Sequence, residues 1–279
     1  MDEEALLKKE LIALMDCSTS AFFLLEVRIL RSKPAVISDV HGNRWALEAV
    51  LKDMRQRNID DVVNLGDSLY GPLDPGGTAK ILIELKIKSV LGNQDRIILE
   101  NSTESERSLT LSYVQENLNS DHLHWLKSLK STMIFKDEFF LCHGTPFKDD
   151  EYLLESVLAH GVTLKKTSEL VSLISSLKQR VILCGHSHLF RSVYLPDNRL
   201  IINAGSVGLP AYCDEQPYPH KMESGSPHAK YCIVSRDDSE YSVEFVEVTY
   251  NWSEAAEIAS VNNREDWAQW LRTGRAELQ

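Results

Sequence analysis

Seven side chains that commonly bind divalent metals follow short apolar runs of the sequence. In chain order they are Asp39, His41, Asp67, Asn93, His143, His186 and His188. Carboxylate, imidazole and amide donors without a cysteine suit Mn²⁺, Fe, Zn²⁺ or Mg²⁺ in an open site, and they disfavour a closed thiolate zinc site. Seven donors are too many for one such ion with an open position. They favour two ions about 3.5–4 Å apart, an arrangement that clamps the attacking and leaving oxygens of a phosphoryl displacement.

Each of these residues has a plainer explanation when it is considered alone. An aspartate after a strand is commonly a helix cap or a turn residue, and Asn93 fits a turn equally well. A single histidine beside a glycine is commonly hydrogen-bonded rather than metal-bound. The joint pattern favours the metal site, because the pairs Asp39/His41 and His186/His188 would each lie on one side of an extended chain.

Other histidines fit the metal hypothesis less well. His122 and His124 are two residues apart in a stretch with helical character, where such positions face different ways. His220 and His228 fall in a long segment without helical or strand periodicity, between residues 206 and 228. Such segments in compact domains are usually functional or disordered, so these two histidines stay open as substrate contacts.

Strands alternating with helices must place the seven donors. The apolar runs PAVIS, DVVNLG and KSVLG predict three strands, and the segments between them predict helices. Leu47, Val50, Leu51 and Met54 have the spacing of one helix face. This order indicates parallel β-α-β units and an α/β fold, in which the carboxyl ends of neighbouring strands meet at one crevice.

The second half of the chain predicts a second sheet. Residues 133–142, 190–206 and 229–248 each have the pattern of a β-hairpin, and residues 163–177 predict a helix before the strand VILCG. We expect residues 1–33 to form an N-terminal helical extension and residues 34–250 the catalytic domain. Residues 251–279, with Trp267, Trp270 and Leu271 at helical spacing, are expected to pack on that domain as a C-terminal helical segment.

The composition limits the partners. The chain has 279 residues, 43% of them hydrophobic, and a formal net charge of -11 without a basic stripe. A long nucleic acid is therefore a poor partner, whereas a small phosphorylated substrate remains possible near bound cations. The five cysteines are scattered, which indicates a reducing, cytoplasmic location. No run reaches the about 20 apolar residues that span a bilayer, and a homo-oligomer stays open.

The motifs DVHGN, GDSLYGP, GNQD, HGTP and GHSH, in this order, resemble those of the calcineurin-like metallophosphoesterase superfamily. The resemblance covers roughly residues 34 to 250, and the run DVHGNRWALEAVL with NAGSVGLP is similar to its small bacterial and archaeal phosphoesterases. It implies a four-layer α-β-β-α sandwich, two mixed sheets flanked by helices.

The resemblance also implies roles for the donors. Asp39, His41, Asp67 and His188 would hold one ion, and Asp67, Asn93, His143 and His186 the other, with Mn²⁺ expected first and Fe, Zn²⁺, Mg²⁺ or Ni²⁺ as alternatives. A hydroxide bridging the ions would attack phosphorus in line. The expected catalytic residues are Asp67, Asn93, Gln94 and His143, and the expected substrate-binding residues are Arg96, Asn43, Tyr70, Ser206 and Tyr212.

Gln94 departs from the pattern of the family. Many members have a histidine at this position that protonates the leaving group, and an amide cannot do so. General-acid catalysis, typically worth about 10²–10⁴-fold, is therefore in question. The leading hypothesis is a phosphomonoesterase or phosphodiesterase acting on a small molecule. The alternatives are a protein Ser/Thr phosphatase, which lacks support because SLYGP replaces Asp-Arg-Gly after Asp67, a nuclease, and a metal-binding scaffold with little turnover.

Overall fold

The computed structural model describes residues 33–100, 108–237 and 240–278. The N-terminal helical extension expected for residues 1–33 therefore lies, apart from Lys33, outside the described residues. None of the described helices is long and apolar enough to cross a membrane.

The described part of the chain alternates between strands and helices. The strands are β1 (Ala35–Ile37), β2 (Val62–Asn64), β3 (Lys88–Ser89), β4 (Thr132–Phe135), β5 (Phe139–Cys142), β6 (Glu155–Leu158), β7 (Gly161–Leu164), β8 (Val181–Cys184), β9 (Phe190–Tyr194), β10 (Leu200–Ala204), β11 (Ala211–Asp214), β12 (His220–Glu223), β13 (Ala229–Asp237) and β14 (Glu240–Val248). The helices are α1 (Arg44–Gln56), α2 (Pro75–Glu84), α3 (Asn93–Leu99), α4 (Leu109–Glu116), α5 (Ser120–Ser128), α6 (Thr167–Leu173), α7 (Trp252–Val261) and α8 (Glu265–Thr273).

Two five-stranded mixed sheets form the centre of the molecule. The first has the order β14-β13-β1-β2-β3, with β1, β2 and β3 parallel to one another. The second has the order β4-β5-β8-β10-β9, with β5, β8 and β10 parallel. The parallel strands lie side by side within each sheet, so their carboxyl ends form a shared edge.

Side chains that alternate along each strand create the layers. Val36 packs between the two sheets against residues such as Leu183, while its neighbour Ile37 packs against α1 on the outer face of the first sheet. On the outer face of the second sheet, Ile182 packs with Leu170 of α6. Alternation with a period of two places successive residues on opposite faces. The α/β class and the sandwich of two mixed sheets flanked by helices are confirmed.

Local sequence signals explain where the first helices begin. The Asn43 side chain accepts a hydrogen bond from the Ala46 amide at 3.1 Å and caps α1. Asp74 caps α2 by accepting from the Gly77 amide at 2.8 Å, and Pro75 occupies the first turn. Both caps satisfy amide groups that have no partner within the helix. They end the loops that follow β1 and β2.

The three predicted hairpins are confirmed as β4/β5, β9/β10 and β13/β14. The helix predicted for residues 163–177 is wrong at its start, because residues 161–164 form strand β7, which pairs with β6. The segment 206–228 contains the hairpin β11/β12, which its aperiodic sequence did not predict. This hairpin joins the C-terminal helices, since Ala211 packs in one apolar cluster with Trp267 and Leu271.

Candidate metal centre

The shared edge of the two sheets carries all seven predicted donors. Asp39 and His41 follow β1, Asp67 follows β2, Asn93 follows β3 as the first residue of α3, His143 follows β5, and His186 and His188 follow β8. Backbone hydrogen bonds join these loops, from the Asp39 amide to the Gly66 carbonyl at 2.9 Å and from the His41 amide to the Asp67 carbonyl at 2.9 Å. The loops therefore hold one another in place.

The backbone at the site adopts an unusual conformation. Five residues have positive φ without being glycine: Asp39 (54°), His41 (51°), Asp67 (51°), His186 (69°) and His188 (60°). Such residues cost about 1–3 kcal/mol each and persist where the surrounding structure determines them, which is common at functional sites. We predicted that each of the pairs Asp39/His41 and His186/His188 lies on one side of an extended chain. This prediction is wrong, because left-handed backbone conformations set the directions of these side chains.

Two groups of candidate ligands lie side by side. The first ligand group is Asp39, His41 and His188, and the second ligand group is Asp67, His143 and His186. Within each group the ligand atoms all lie within 4.8 Å of one another. Asp39 and His41 thus meet in one group, whereas His186 and His188 diverge into different groups.

Polar atoms lie close together both within each ligand group and between the two groups. His188 Nε2 lies 3.2 Å from Asp39 Oδ1, and His143 Nε2 lies 3.3 Å from Asp67 Oδ2. Between the groups, His143 Nε2 is 3.9 Å from Asp39 Oδ1. The Asp67 Oδ1 atom accepts a hydrogen bond from the Gln94 amide at 2.9 Å, which fixes the carboxylate at the start of α3.

Three of the four imidazoles have a fixed tautomer. Nδ1 donates to a backbone carbonyl in His41 (Tyr70, 2.9 Å), His143 (Leu65, 2.9 Å) and His188 (Leu209, 2.7 Å). In the neutral imidazole that a metal requires, the lone pair of Nε2 therefore points into the site. The Nε2 atoms of His41 and His188 are only 3.2 Å apart, a contact that a cation between them would explain.

The buried polar atoms of the site fit bound cations. Asp39 Oδ1, His143 Nε2 and Asn93 Oδ1 are buried without a hydrogen-bond partner. Buried polar atoms in native proteins normally have partners, so such exceptions require an explanation such as an ion. The donor set contains carboxylate and imidazole groups and no thiol, because Cys142 and Cys184 are buried in the second sheet. Both observations fit divalent metals.

The site perturbs the pKa of its groups in opposite directions. Burial, together with the neighbouring His188, lowers the pKa of His41 to about 4. Burial also lowers the pKa of His143, but the carboxylate of Asp67 outweighs this effect and raises that pKa to about 10. Burial raises the pKa of Asp67, yet His143, His41 and His186 together hold it well below its usual range. Asp67 therefore interacts with imidazoles of both ligand groups.

Asp95 belongs to the site and was not predicted. Its carboxylate accepts hydrogen bonds from the Ser68 amide at 2.9 Å and the Leu69 amide at 3.0 Å, which holds the loop after Asp67. Burial, together with the charge of Asp67, raises the pKa of Asp95 to about 7. The motif GNQD contains this residue, but its partners lie more than 20 positions earlier in the chain. Only the fold reveals the contact.

A cleft of about 290 Å³ opens over the two ligand groups. Its remaining walls are Tyr70, Gln94, Leu209, Tyr212, Cys213, Asp214, Arg264, Trp267 and Trp270. Arg264 and the two tryptophans come from the C-terminal helices, to which the sequence assigned only packing. The edge of the Trp267 ring faces the His41 ring with centroids 5.7 Å apart. The C-terminal segment therefore forms part of the site.

The predicted substrate-binding residues separate into two sets. Tyr70 and Tyr212 line the cleft, as does Gln94. Arg96 instead pairs with Asp149 at 2.8 Å and with Glu100, because α3 turns its side chain toward that surface.

Two further predicted residues lie beneath the cleft. Asn43 is buried and donates to the Gly208 carbonyl at 2.9 Å, besides capping α1. Ser206 is also buried and donates to the Asp39 carbonyl at 2.8 Å. In the described structure both residues support the loop after β1, and neither lines the cleft.

The remaining histidines lie outside the ligand groups. In α5, His122 Nδ1 accepts from the Asn119 amide at the start of the helix. His228 stacks with Trp252 at 5.3 Å between ring centroids. His220 is buried, and its Nε2 atom lies 3.0 Å from the Tyr152 hydroxyl, so it is connected to the site through that tyrosine.

Comparison with protein families identifies the class that this site and fold define. The calcineurin-like phosphoesterase superfamily domain matches residues 33–220, which is more than half of the chain. The chain belongs to this superfamily. It is therefore a hydrolase of the metallophosphoesterase class, and the family depends on divalent metals.

Individual relatives are similar over nearly their whole length. The uncharacterized protein MJ0912 of Methanocaldococcus jannaschii is 26% identical over 253 residues, which cover 86% of this chain and 96% of that protein. The metallophosphoesterase structure from Sphaerobacter thermophilus has a TM-score of 0.68 at 24% identity and covers 87% of this chain and 99% of its own. The structure of PH1004 from Pyrococcus horikoshii OT3 has a TM-score of 0.67 at 19% identity, with 88% and 99% covered. The two structures share the fold.

Proposed function

We propose that this chain hydrolyses a small phosphomonoester or phosphodiester with two divalent metal ions, Mn²⁺ first among them, in the cytoplasm. The observation that carries the proposal is the pair of ligand groups at one sheet edge, joined by the 3.9 Å approach of His143 to Asp39. A structural site would need only one closed set of ligands. Two adjacent open sets are the arrangement used for phosphoryl displacement.

Different side chains of the proposed site would bind different ions. The first ligand group and Asp67 would hold one ion, and the second ligand group with Asn93 the other. When bound, the ions would polarise the phosphoryl oxygens and lower the pKa of the attacking water. The chain itself orients His41, His143 and His188, because the Nδ1 hydrogen bonds leave these three imidazoles little freedom.

The cleft supports a small substrate. Its volume of about 290 Å³ lies near the lower end of the roughly 300–1,000 Å³ typical of small-molecule pockets. Such a volume accommodates a phosphoryl group with a modest leaving group. Trp267 and Trp270 of the C-terminal segment wall the cleft, which disfavours a phosphoprotein segment or a nucleic acid duplex as substrate. The formal net charge of -11 also disfavours a polyanion.

Hydrolysis of a chromogenic aryl phosphate and an aryl phosphodiester with added Mn²⁺ tests the proposal. We expect turnover by the unaltered chain, none after removal of metal with a chelator, and recovery when Mn²⁺ is restored. Asp67→Asn should abolish turnover, and His122→Asn should not, because His122 lies outside both ligand groups. Equal background rates for the unaltered chain and Asp67→Asn would exclude the enzyme, and metal binding without turnover would favour the scaffold.

A further inference from the structure

His186 differs from the other imidazoles of the site in how its ring is held. His41, His143 and His188 each donate Nδ1–H to a backbone carbonyl. Among the described residues, no hydrogen-bond partner exists for either ring nitrogen of His186, and the residue is partly exposed. A metal-binding histidine normally relies on such a partner for its orientation. The second ligand group therefore contains one imidazole without this restraint.

Tyr152 packs against the unrestrained ring. The ring centroids of Tyr152 and His186 are 4.7 Å apart, with an angle of 35° between the planes. The two rings pack against each other at a tilt and not through a polar interaction, so the contact can limit rotation of the imidazole without using a ring nitrogen. Nothing in the local sequence indicates this contact, because 34 positions separate the two residues.

A network of polar contacts holds Tyr152 itself. Its hydroxyl lies 2.7 Å from the Tyr212 hydroxyl and 3.0 Å from His220 Nε2. The Tyr212 hydroxyl donates to the His186 carbonyl at 3.0 Å, which fixes the backbone of the same ligand. At the other end, Lys165 Nζ donates to the Tyr152 carbonyl at 2.5 Å. Tyr152 is thus held at its hydroxyl and at its backbone.

His220 completes the network from the hairpin β11/β12. Its Nδ1 donates to the Tyr218 carbonyl at 2.8 Å, because a carbonyl oxygen only accepts. The lone pair of Nε2 is then available to accept the Tyr152 hydroxyl proton, which is shared with the Tyr212 oxygen because the single Tyr212 proton is donated to the His186 carbonyl. His220 is 3% exposed, so the contact is shielded from water. This role accounts for a buried histidine that belongs to neither ligand group.

We propose that Tyr152, held by Tyr212 and His220, is a positioning residue that orients the His186 imidazole and sets the metal affinity of the second ligand group. The proposal rests on the proposed two-metal function. Loss of a group that orients a metal-binding histidine typically costs about 10–100-fold in metal affinity. His186 is the one imidazole of the two ligand groups that is held by ring packing in place of a hydrogen bond. The second ligand group, which contains His186, therefore binds its ion more weakly than the first.

Titration of the metal-free full chain with Mn²⁺, followed by calorimetry, tests the proposal. We expect two binding steps in the unaltered chain. Tyr152→Leu removes both the ring and the hydroxyl and should weaken only the weaker step, by about 10–100-fold. Tyr152→Phe keeps the ring and loses its anchoring, so its effect should be smaller. His220→Leu should have no larger an effect than Tyr152→Phe, since it removes only one of the two polar contacts of the Tyr152 hydroxyl.

Tyr241→Phe is the matched control, because its hydroxyl contacts Glu138 at 3.2 Å, far from the metal site in sequence and in the fold. It should leave both binding steps unchanged. Equal weakening of both steps by Tyr152→Leu, or none, would overturn the role of Tyr152 while leaving the two-metal function intact. A single Mn²⁺ per unaltered chain would contradict both proposals. Thermal unfolding of each metal-free variant separates loss of affinity from loss of folding.

Discussion

We propose, from the family motif, that Gln94 occupies the position from which a leaving group would be protonated. Its backbone amide donates to Asp67, so the start of α3 stays in place whichever side chain it carries. An amide has no proton to give an alkoxide, and we therefore expect aryl esters to be cleaved far faster than alkyl esters. Gln94→His should raise the rate on alkyl esters by up to about 10²–10⁴-fold.

Rates over a series of esters with graded leaving-group pKa measure this effect. The slope of log rate against leaving-group pKa should become shallower in Gln94→His. Gln94→Asn serves as the control, since it keeps an amide and should keep the steep slope. An unchanged slope in Gln94→His would show that leaving-group protonation does not depend on this position.

His143 and His41 should titrate far apart in the metal-free protein. Asp67 raises the pKa of His143 to about 10 against the opposing effect of burial, whereas burial and His188 lower that of His41 to about 4. His143 is therefore charged at neutral pH. Its stabilising contribution is complete below the usual histidine pKa of about 6.5 and is lost as the pH rises through about 10.

Histidine NMR spectra of the metal-free protein between pH 4 and 11 measure these values. One imidazole should lose its charge near pH 10, and that signal should be missing in His143→Asn. The His41 signal, assigned by its absence in His41→Asn, should have the chemical shift of a neutral imidazole at pH 5. Two ordinary titrations near pH 6.5 would contradict the ion pair between His143 and Asp67.

Short motifs were sufficient to predict that seven donor side chains lie at one sheet edge, because each follows an apolar run that ends there. They were not sufficient for Asp95, Tyr152 and Arg264. These residues reach the site through contacts between distant parts of the chain, such as Asp95 with the Ser68 amide. Arg96 shows the opposite limitation, since its motif position suggested a phosphate contact and its partners are Asp149 and Glu100.

At the scale of elements, the loop after β2 and the start of α3 are in close contact. A Cβ atom at Gly92 would lie 2.1 Å from Asp67 Oδ1 and 2.3 Å from the Asp67 amide nitrogen. Gly92→Ala must therefore displace Asp67, at a cost of about 1–3 kcal/mol typical of overpacking. We expect Mn²⁺ binding to be lost, as measured by equilibrium dialysis on protein whose folding is verified by circular dichroism.

Gly161→Ala is the control for this substitution. Gly161 has φ of 127° at the start of β7, and a Cβ atom there would meet nothing within 4 Å. The change strains the backbone without approaching the ligand groups. Normal metal binding in Gly92→Ala would show that the two loops can separate without harm to the site.

Periodicity predicted most elements, because the β-α-β units and the hairpins have regular apolar spacing. It failed for β11/β12, whose sequences AYCD and HKME lack alternation. That hairpin depends on outside contacts, such as the one from Lys221 Nζ to the Ala276 carbonyl at 3.1 Å. Periodicity also failed for residues 161–164, where pairing with β6 prevails over helical spacing.

At the scale of the whole molecule, the core between the two sheets sets the spacing of the loops that carry the ligands. Leu183 of β8 is fully buried there, two residues from the loop with His186. Leu183→Ala should lower the free energy of unfolding by about 2–5 kcal/mol. Leu164→Ala, at a side chain that is 44% exposed, should change it by less than about 0.5 kcal/mol. Urea denaturation measures both, and equal effects would contradict the layered core.

Each ligand group combines residues from both sheets, since β1 and β2 belong to one sheet and β5 and β8 to the other. Asp67 connects the two groups, because imidazoles of both groups lower its pKa. Metal stoichiometry at a Mn²⁺ concentration that saturates the unaltered chain tests this central claim most directly. We predict two ions in the unaltered chain, one in His41→Asn and none in Asp67→Asn. One ion retained by Asp67→Asn would contradict the claim that both ions share this carboxylate.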